Sequence, residues 1–157
     1  MIKYNKDKLV KMALNARVDH PRMSGFYVGH DGKGRMPVGT GGVVYSHEIG
    51  DSCMKIAGDH IEPGVSMANP GQKENHAVET LSCVGNEVVI LSGEQKGKKG
   101  YVTGTHGGVD HTMAYFPKDV IEKMDGTENF LIKSYGQGMK LEGFESVHMM
   151  NLDPDLF

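Results

Sequence analysis

Two short runs combine imidazoles, carboxylates and glycines at spacings that suit metal or acid–base chemistry. The first is Gly58-Asp59-His60-Ile61-Glu62-Pro63-Gly64. Two glycines and a proline pin a tight backbone path there. In extended backbone His60 and Glu62 project to one face and Asp59 to the other. An imidazole beside a carboxylate is a sound donor pair for a divalent metal, or a pair for proton transfer. The bland alternative is an Asx-type turn, with Asp59 bonding the backbone and His60 on the surface. The second run is Thr103-Gly104-Thr105-His106-Gly107-Gly108-Val109-Asp110-His111. Its glycine pair permits positive φ, or lets a ligand approach the backbone closely. His106, Asp110 and His111 flank that turn, offering two imidazole ligands or a histidine oriented by Asp110. A plain β-turn with exposed histidines is the competing reading. Together the runs nominate Asp59, His60, Glu62, His106 and Asp110 as acid–base groups. They nominate His60, Glu62, His106 and His111 as donors to a divalent metal.

Other glycine turns offer binding groups rather than chemistry. Pro37-Val38-Gly39-Thr40-Gly41-Gly42 can aim backbone N–H groups at an anion. It lacks the lysine of a phosphate-binding P-loop and the spacing of a dinucleotide-binding turn. Thr40, Gly41, Gly42, Gly107 and Gly108 are the expected backbone contacts to a substrate, and Gln137, between two glycines, is an expected side-chain contact. A purely structural turn explains the same residues. No serine sits in a nucleophile elbow. Cys53 and Cys83 form no CxxC pair and read as small core residues.

The elements that must position these groups are mostly strands. Val10, Met12, Leu14, Ala16 and Val18 alternate with more polar residues, which predicts a strand ended by His20-Pro21. A helix starting at Asn5 competes for the same stretch. Residues 20–42 read as loop or short irregular strands. Strands follow at 43–46, 53–57, 87–92, 101–105, 112–116, 130–134 and 147–150. The run 87–92 is apolar on both faces, which predicts a central position. A short helix fits 72–80. Pro117 at the first helical position predicts another helix over 118–124, stopped by Asp125-Gly126. The sum is a mainly β domain, with α+β as the alternative: a small barrel or sandwich of about eight short strands and one or two short helices.

Composition narrows the class. The 157 residues suffice for a single β-rich domain spanning 1–157, able to bury about two-thirds of its unfolded surface. The 22 glycines are roughly twice the ordinary share of about 7% and follow no three-residue period, which excludes collagen. No apolar run approaches the roughly 18 residues of a membrane span. The opening residues lack a signal-peptide core, so a cytoplasmic location with reduced thiols is expected. A net charge of −3 argues against a nucleic-acid partner.

Two resemblances add to this. Residues 88–102, with a valine strand, an SGEQKGKKG turn and a returning strand, look like a KOW motif. That implies an SH3-like barrel whose Lys96, Lys98 and Lys99 meet RNA or protein. The runs PVGTGGVVYSHEIGDSCMKIAGDHIEPGVS, LSCVGNEVVILSGEQKGKKGYVTGTHGGVDHTMAYFPKDVIEKM and IKSYGQGMKLEGFESVHMMNLDPDLF resemble the family called domain of unknown function 4438. The resemblance spans nearly the whole chain in motif order and implies no reaction. It implies that 58–64 and 103–111 belong to the family framework, and that the chain corresponds to the N-terminal part of a longer architecture. A companion chain or a second copy would then complete the pocket. The leading expectation is a small-molecule enzyme, a metal-assisted hydrolase with a glycine-turn pocket. The alternatives are a KOW-like binding module and a structural subunit of a homo-oligomer.

Overall fold

The structure, a computed structural model, describes residues 2–23, 25, 27–35, 40–45, 64–107, 110–149 and 151–156. Its centre is a closed antiparallel barrel. The strands are β1 (Lys11–Val18), β5 (Gly64–Ala68), β6 (Glu87–Ile90), β7 (Lys99–His106), β8 (His111–Tyr115) and β9 (Asn129–Tyr135). They run in the order β1-β9-β6-β7-β8-β5, and β5 pairs back onto β1 through Arg17↔Ala68 and Val18↔Met67. Closure leaves those strands no open edge. Short strands lie outside the ring: β4 (Val43–Val44) on β5, β2 (Tyr27–Val28) with β3 (Gly34–Arg35), and β10 (Met139–Lys140) with β11 (His148–Met149).

Alternation explains the interior. Leu14, Ala16 and Val18 of β1 are buried with Val65 and Met67, Val88 and Ile90, Val102, Ala114, Phe130 and Ile132. Phe116 and Phe130 meet there with ring centroids 5.9 Å apart. Each fully buried ring of this kind contributes about 1.5–3 kcal/mol. Helix α1 (Gln72–Leu81) adds Val78 and Leu81 to this core. Helix α2 (Lys118–Ile121) adds Val120 and Ile121, and Met124 follows them inward.

Several expectations shift. The strand at 11–18 has the predicted phase, with Leu14, Ala16 and Val18 buried, yet Val10 and Met12 are 61% and 42% exposed. The chain before it forms a single 3-10 turn at Lys6–Lys8 rather than a helix. The helix after Pro117 lasts one turn. Lys123 and Met124 donate to the carbonyls three residues back, and that tightening turns Met124 into the core. Strand β6 lies between β9 and β7 as expected but buries mainly one face, and Leu91 is exposed. The strand β5 that closes the barrel was not among the predicted ones. The predicted strand at 53–57 lies outside the described residues.

Residues 91–98 connect β6 to β7 as a tight hairpin end. Gly97 donates to the Ile90 carbonyl, Ile90 donates to that of Lys98, and Gln95 is buried beneath. Lys96 and Lys98 are exposed, whereas Lys99 is paired with Glu87 at 2.8 Å and Lys133 holds the other Glu87 oxygen. Those two lysines hold the Glu87 carboxyl below its ordinary range, the Lys133 hydrogen bond first.

Asn86 fastens the C-terminal segment to the barrel. It is fully buried and uses its whole amide. Its oxygen accepts from the Cys83 and Tyr135 amides, and its nitrogen donates to the Tyr135 carbonyl and to Asp153 Oδ2 at 2.7 Å. Val84 and Leu152 form a parallel bridge beside it. Among the described residues no helix is long and apolar enough to cross a membrane.

Candidate functional site

A bulge in β7 builds the centre of the site. The β7–β8 register runs Tyr101↔Tyr115 and Val102↔Ala114, then slips so that Gly104 meets Met113, Thr105 meets Thr112 and His106 meets His111. Without that extra residue Thr105 would stand opposite His111, so the bulge is what aligns the two imidazoles. Their ring centroids are 5.5 Å apart, edge to face at 64°. Asp110 leads into β8 at φ 58°, a left-handed conformation that aspartate tolerates better than most residues.

His111 has no solvent exposure. Its Nδ1 lies 3.1 Å from Oδ2 of Asp19, just past the end of β1. An ionised carboxylate only accepts, so Nδ1–H donates to Asp19, and that bond fixes the orientation of the ring. Arg22 Nη2 donates to the same Asp19 oxygen at 2.5 Å. Asp19 is also held through its backbone. Its amide donates to the Ser66 carbonyl and its carbonyl accepts from Gly42. Arg22 and Thr40 exchange both backbone bonds. Gly41 sits at φ 92°, where an added Cβ would be 3.0 Å from the Asp19 and His20 carbonyl oxygens. The 40–42 turn therefore braces the loop that presents Asp19.

Helix α1 covers the other side. Asn75, nearly buried, donates through Nδ2 to the Asp110 carbonyl at 2.6 Å and accepts from the Asn69 amide at 2.8 Å. One side chain thus ties the end of β5 to the start of β8. Glu79, one helical turn on, lies in the field of Asp110, His76 and His111. Burial raises its carboxyl above the ordinary range and Asp110 raises it further, while the two histidines oppose this.

Among the predicted site residues, His106, Gly107, Asp110 and His111 lie together on the β7–β8 turn, with open space above Gly107. Thr40, Gly41 and Gly42 join them through Asp19 and Arg22, although the Thr40 and Gly42 amides are engaged within the protein. Gln137 donates its amide to the Thr80 carbonyl at the end of α1. Asp59, His60, Glu62 and Gly108 lie outside the described residues. From the first motif only Gly64 is described. It enters β5 at φ 97°, so close to Ala114 that a Cβ would lie 2.4 Å from that carbonyl oxygen. Among the described residues no group of three or more His, Cys, Asp or Glu is arranged to hold a metal. Asp19, Arg22, Asn75 and Glu79 were not anticipated. Asp19 is 92 residues from His111 in sequence, a pairing no local spacing reveals. Asn75 and Glu79 are four apart on one helix face, which is a readable signal of a polar surface. Cys83 is buried as expected, and burial pushes its thiol up to about 11.

Comparison with curated proteins gives no match. The chain is similar to a solved structure described as "Crystal structure of TM1086", with a TM-score of 0.86 and 43% sequence identity. The similarity covers 99% of this chain and 55% of that one, so this chain spans little more than half of that protein's length. A family model described as "Domain of unknown function (DUF4438), N-terminal" matches residues 26–157. A fold shared with a 43% identical structure and a model match over most of its length place the chain in the DUF4438 family.

Proposed function

We propose that the β7–β8 turn forms the active site of a small-molecule hydrolase, in which His106 and His111 hold a divalent cation. The observation that carries this reading is the buried His111 ring, its Nδ1 held by Asp19 at 3.1 Å and its neighbour His106 in edge-to-face contact. A carboxylate behind a ligating imidazole is the usual support of a metal-binding histidine, fixing tautomer and ring orientation. Arg22 donates to the same Asp19 oxygen and holds it in place. A bound cation would bring a water's pKa to about 7 and make it a nucleophile. Glu79, whose carboxyl is held above its ordinary range, would be the group that exchanges a proton with that water. The third donor of this proposal is His60 or Glu62 of the 58–64 motif, which leaves Glu79 for the proton.

Chelator-stripped protein titrated with Zn²⁺ and Mn²⁺ by calorimetry tests the proposal. One cation should bind per chain with a rise in thermal midpoint, and His106→Ala or His111→Ala should abolish it. Asp19→Asn should weaken binding by about 10–100-fold, the usual cost of losing such a support. No stoichiometric binding, or equal binding by the two alanine variants, overturns it.

A further inference from the structure

A second concavity lies on the outer wall of the barrel, across β1, β9 and β6. It has a volume of about 590 Å³, within the ordinary range for small-ligand sites. Lys11, Met12, Ala13, Leu131 and Tyr135 line one part, with Asp153 and Asp155 of the C-terminal segment on another. Lys133 and Glu87 also reach it, but they are paired with each other, with Lys99 on the second Glu87 oxygen.

The remaining charges are not matched within the chain. Lys11 places its ammonium 4.3 Å from the centroid of the Tyr135 ring, and among the described residues no carboxylate pairs with it. Asp153 is nearly buried. Its oxygens accept from Asn86 and from the Asp155 amide, and no cation pairs with it or with Asp155 among the described residues. Burial first and Tyr4 second push the Tyr135 hydroxyl up to about 12, and Asp155 and Asp153 add smaller contributions. The cavity thus sets an unpaired cation and two unpaired carboxylates around one tyrosine, with Ala13 and Leu131 as apolar residues on the same face of the sheet.

We propose that this cavity binds a free α-amino acid with an apolar side chain. The ligand's ammonium meets Asp153 and Asp155. Its carboxylate meets Lys11, and its side chain lies against Ala13 and Leu131. Each pairing is charge-assisted, and a zwitterion satisfies both signs at once where an amine or an acid satisfies only one. Asp153 is pre-positioned by the buried Asn86, so the site is built before the ligand arrives.

The test is calorimetry with free L-leucine, L-methionine and L-phenylalanine. Controls are isoamylamine and 4-methylpentanoate, which keep leucine's side chain with one charged group each. At least one amino acid should bind at millimolar or lower concentration, and the two controls about tenfold or more weaker. Asp155→Asn and Lys11→Met, both exposed changes, should each reduce affinity by a similar factor with the thermal midpoint of the ligand-free protein retained. No binding by any of the three amino acids overturns the proposal. So does equal binding of leucine and its one-charge controls, or unchanged affinity in both variants.

Discussion

Glu79 shows most directly how the fold sets a charge state. Its carboxyl is raised by burial and by Asp110, so the folded protein holds this proton at pH values where the unfolded chain has lost it. From the ordinary value of 4.5 up to the raised one, the native state binds more protons. Stability contributed at this position therefore falls as pH rises through that window. Metal-free Glu79→Gln should lose that part of the pH dependence and unfold at a higher temperature than the parent at neutral pH. Thermal melts across pH 4–8 decide it, and a parallel pH profile in parent and variant would refute it. Cys83 makes a second residue-level prediction. With its thiol fully buried and its pKa near 11, it should resist iodoacetamide until the protein unfolds. Rapid labelling of folded protein at Cys83, located by peptide mapping, would contradict the structure. Asn86→Ala should cost about 2–4 kcal/mol in urea denaturation, since it strands several buried partners at once. At this scale the sequence was legible where donors were neighbours. His106 and His111 stood out because a glycine turn separates them. Asp19 did not, because only barrel closure brings the end of β1 beside the start of β8.

Elements were legible in proportion to how clearly one face differs from the other. The strand at 11–18 alternates, and its buried side chains Leu14, Ala16 and Val18 follow that alternation. Strand β5 defeats the same test. Gly64, Val65, Ser66 and Met67 are all buried, so no alternation marks it. The β7 bulge left no pattern either, although Gly104 within it is the kind of residue that accompanies one. Helix α1 was readable from its length and composition, but not its task of joining β5 to β8 through Asn75. Asn75→Ala should speed hydrogen exchange at the Asn69 amide, which loses its acceptor, while amides in the middle of β9 keep their protection. Unchanged exchange at Asn69 would show that the amide does not depend on this side chain. At the entrance of β5, Gly64→Ala should cost more than about 1 kcal/mol, because positive φ and the Ala114 carbonyl both exclude a Cβ. A denaturation midpoint equal to that of the parent would rule this out.

At the scale of the molecule, the mainly β class follows from many short strand signals and glycine turns, which the closed barrel bears out. The order of strands around the ring does not follow from them. It depends on pairings between distant segments, and the same closure sets the site at one place and the wall cavity at another. The principal partner of β1 is β9, with Lys11 opposite Tyr135 and Arg17 opposite Asn129. During synthesis the first strand therefore emerges long before the strand that will cover it. Until then only its last residues can pair, Arg17 and Val18 with Ala68 and Met67 of β5, while Leu14 and Ala16 have no strand partner. The ring can shut only once residues 129–135 are available, because β9 is the strand that joins β1 to β6.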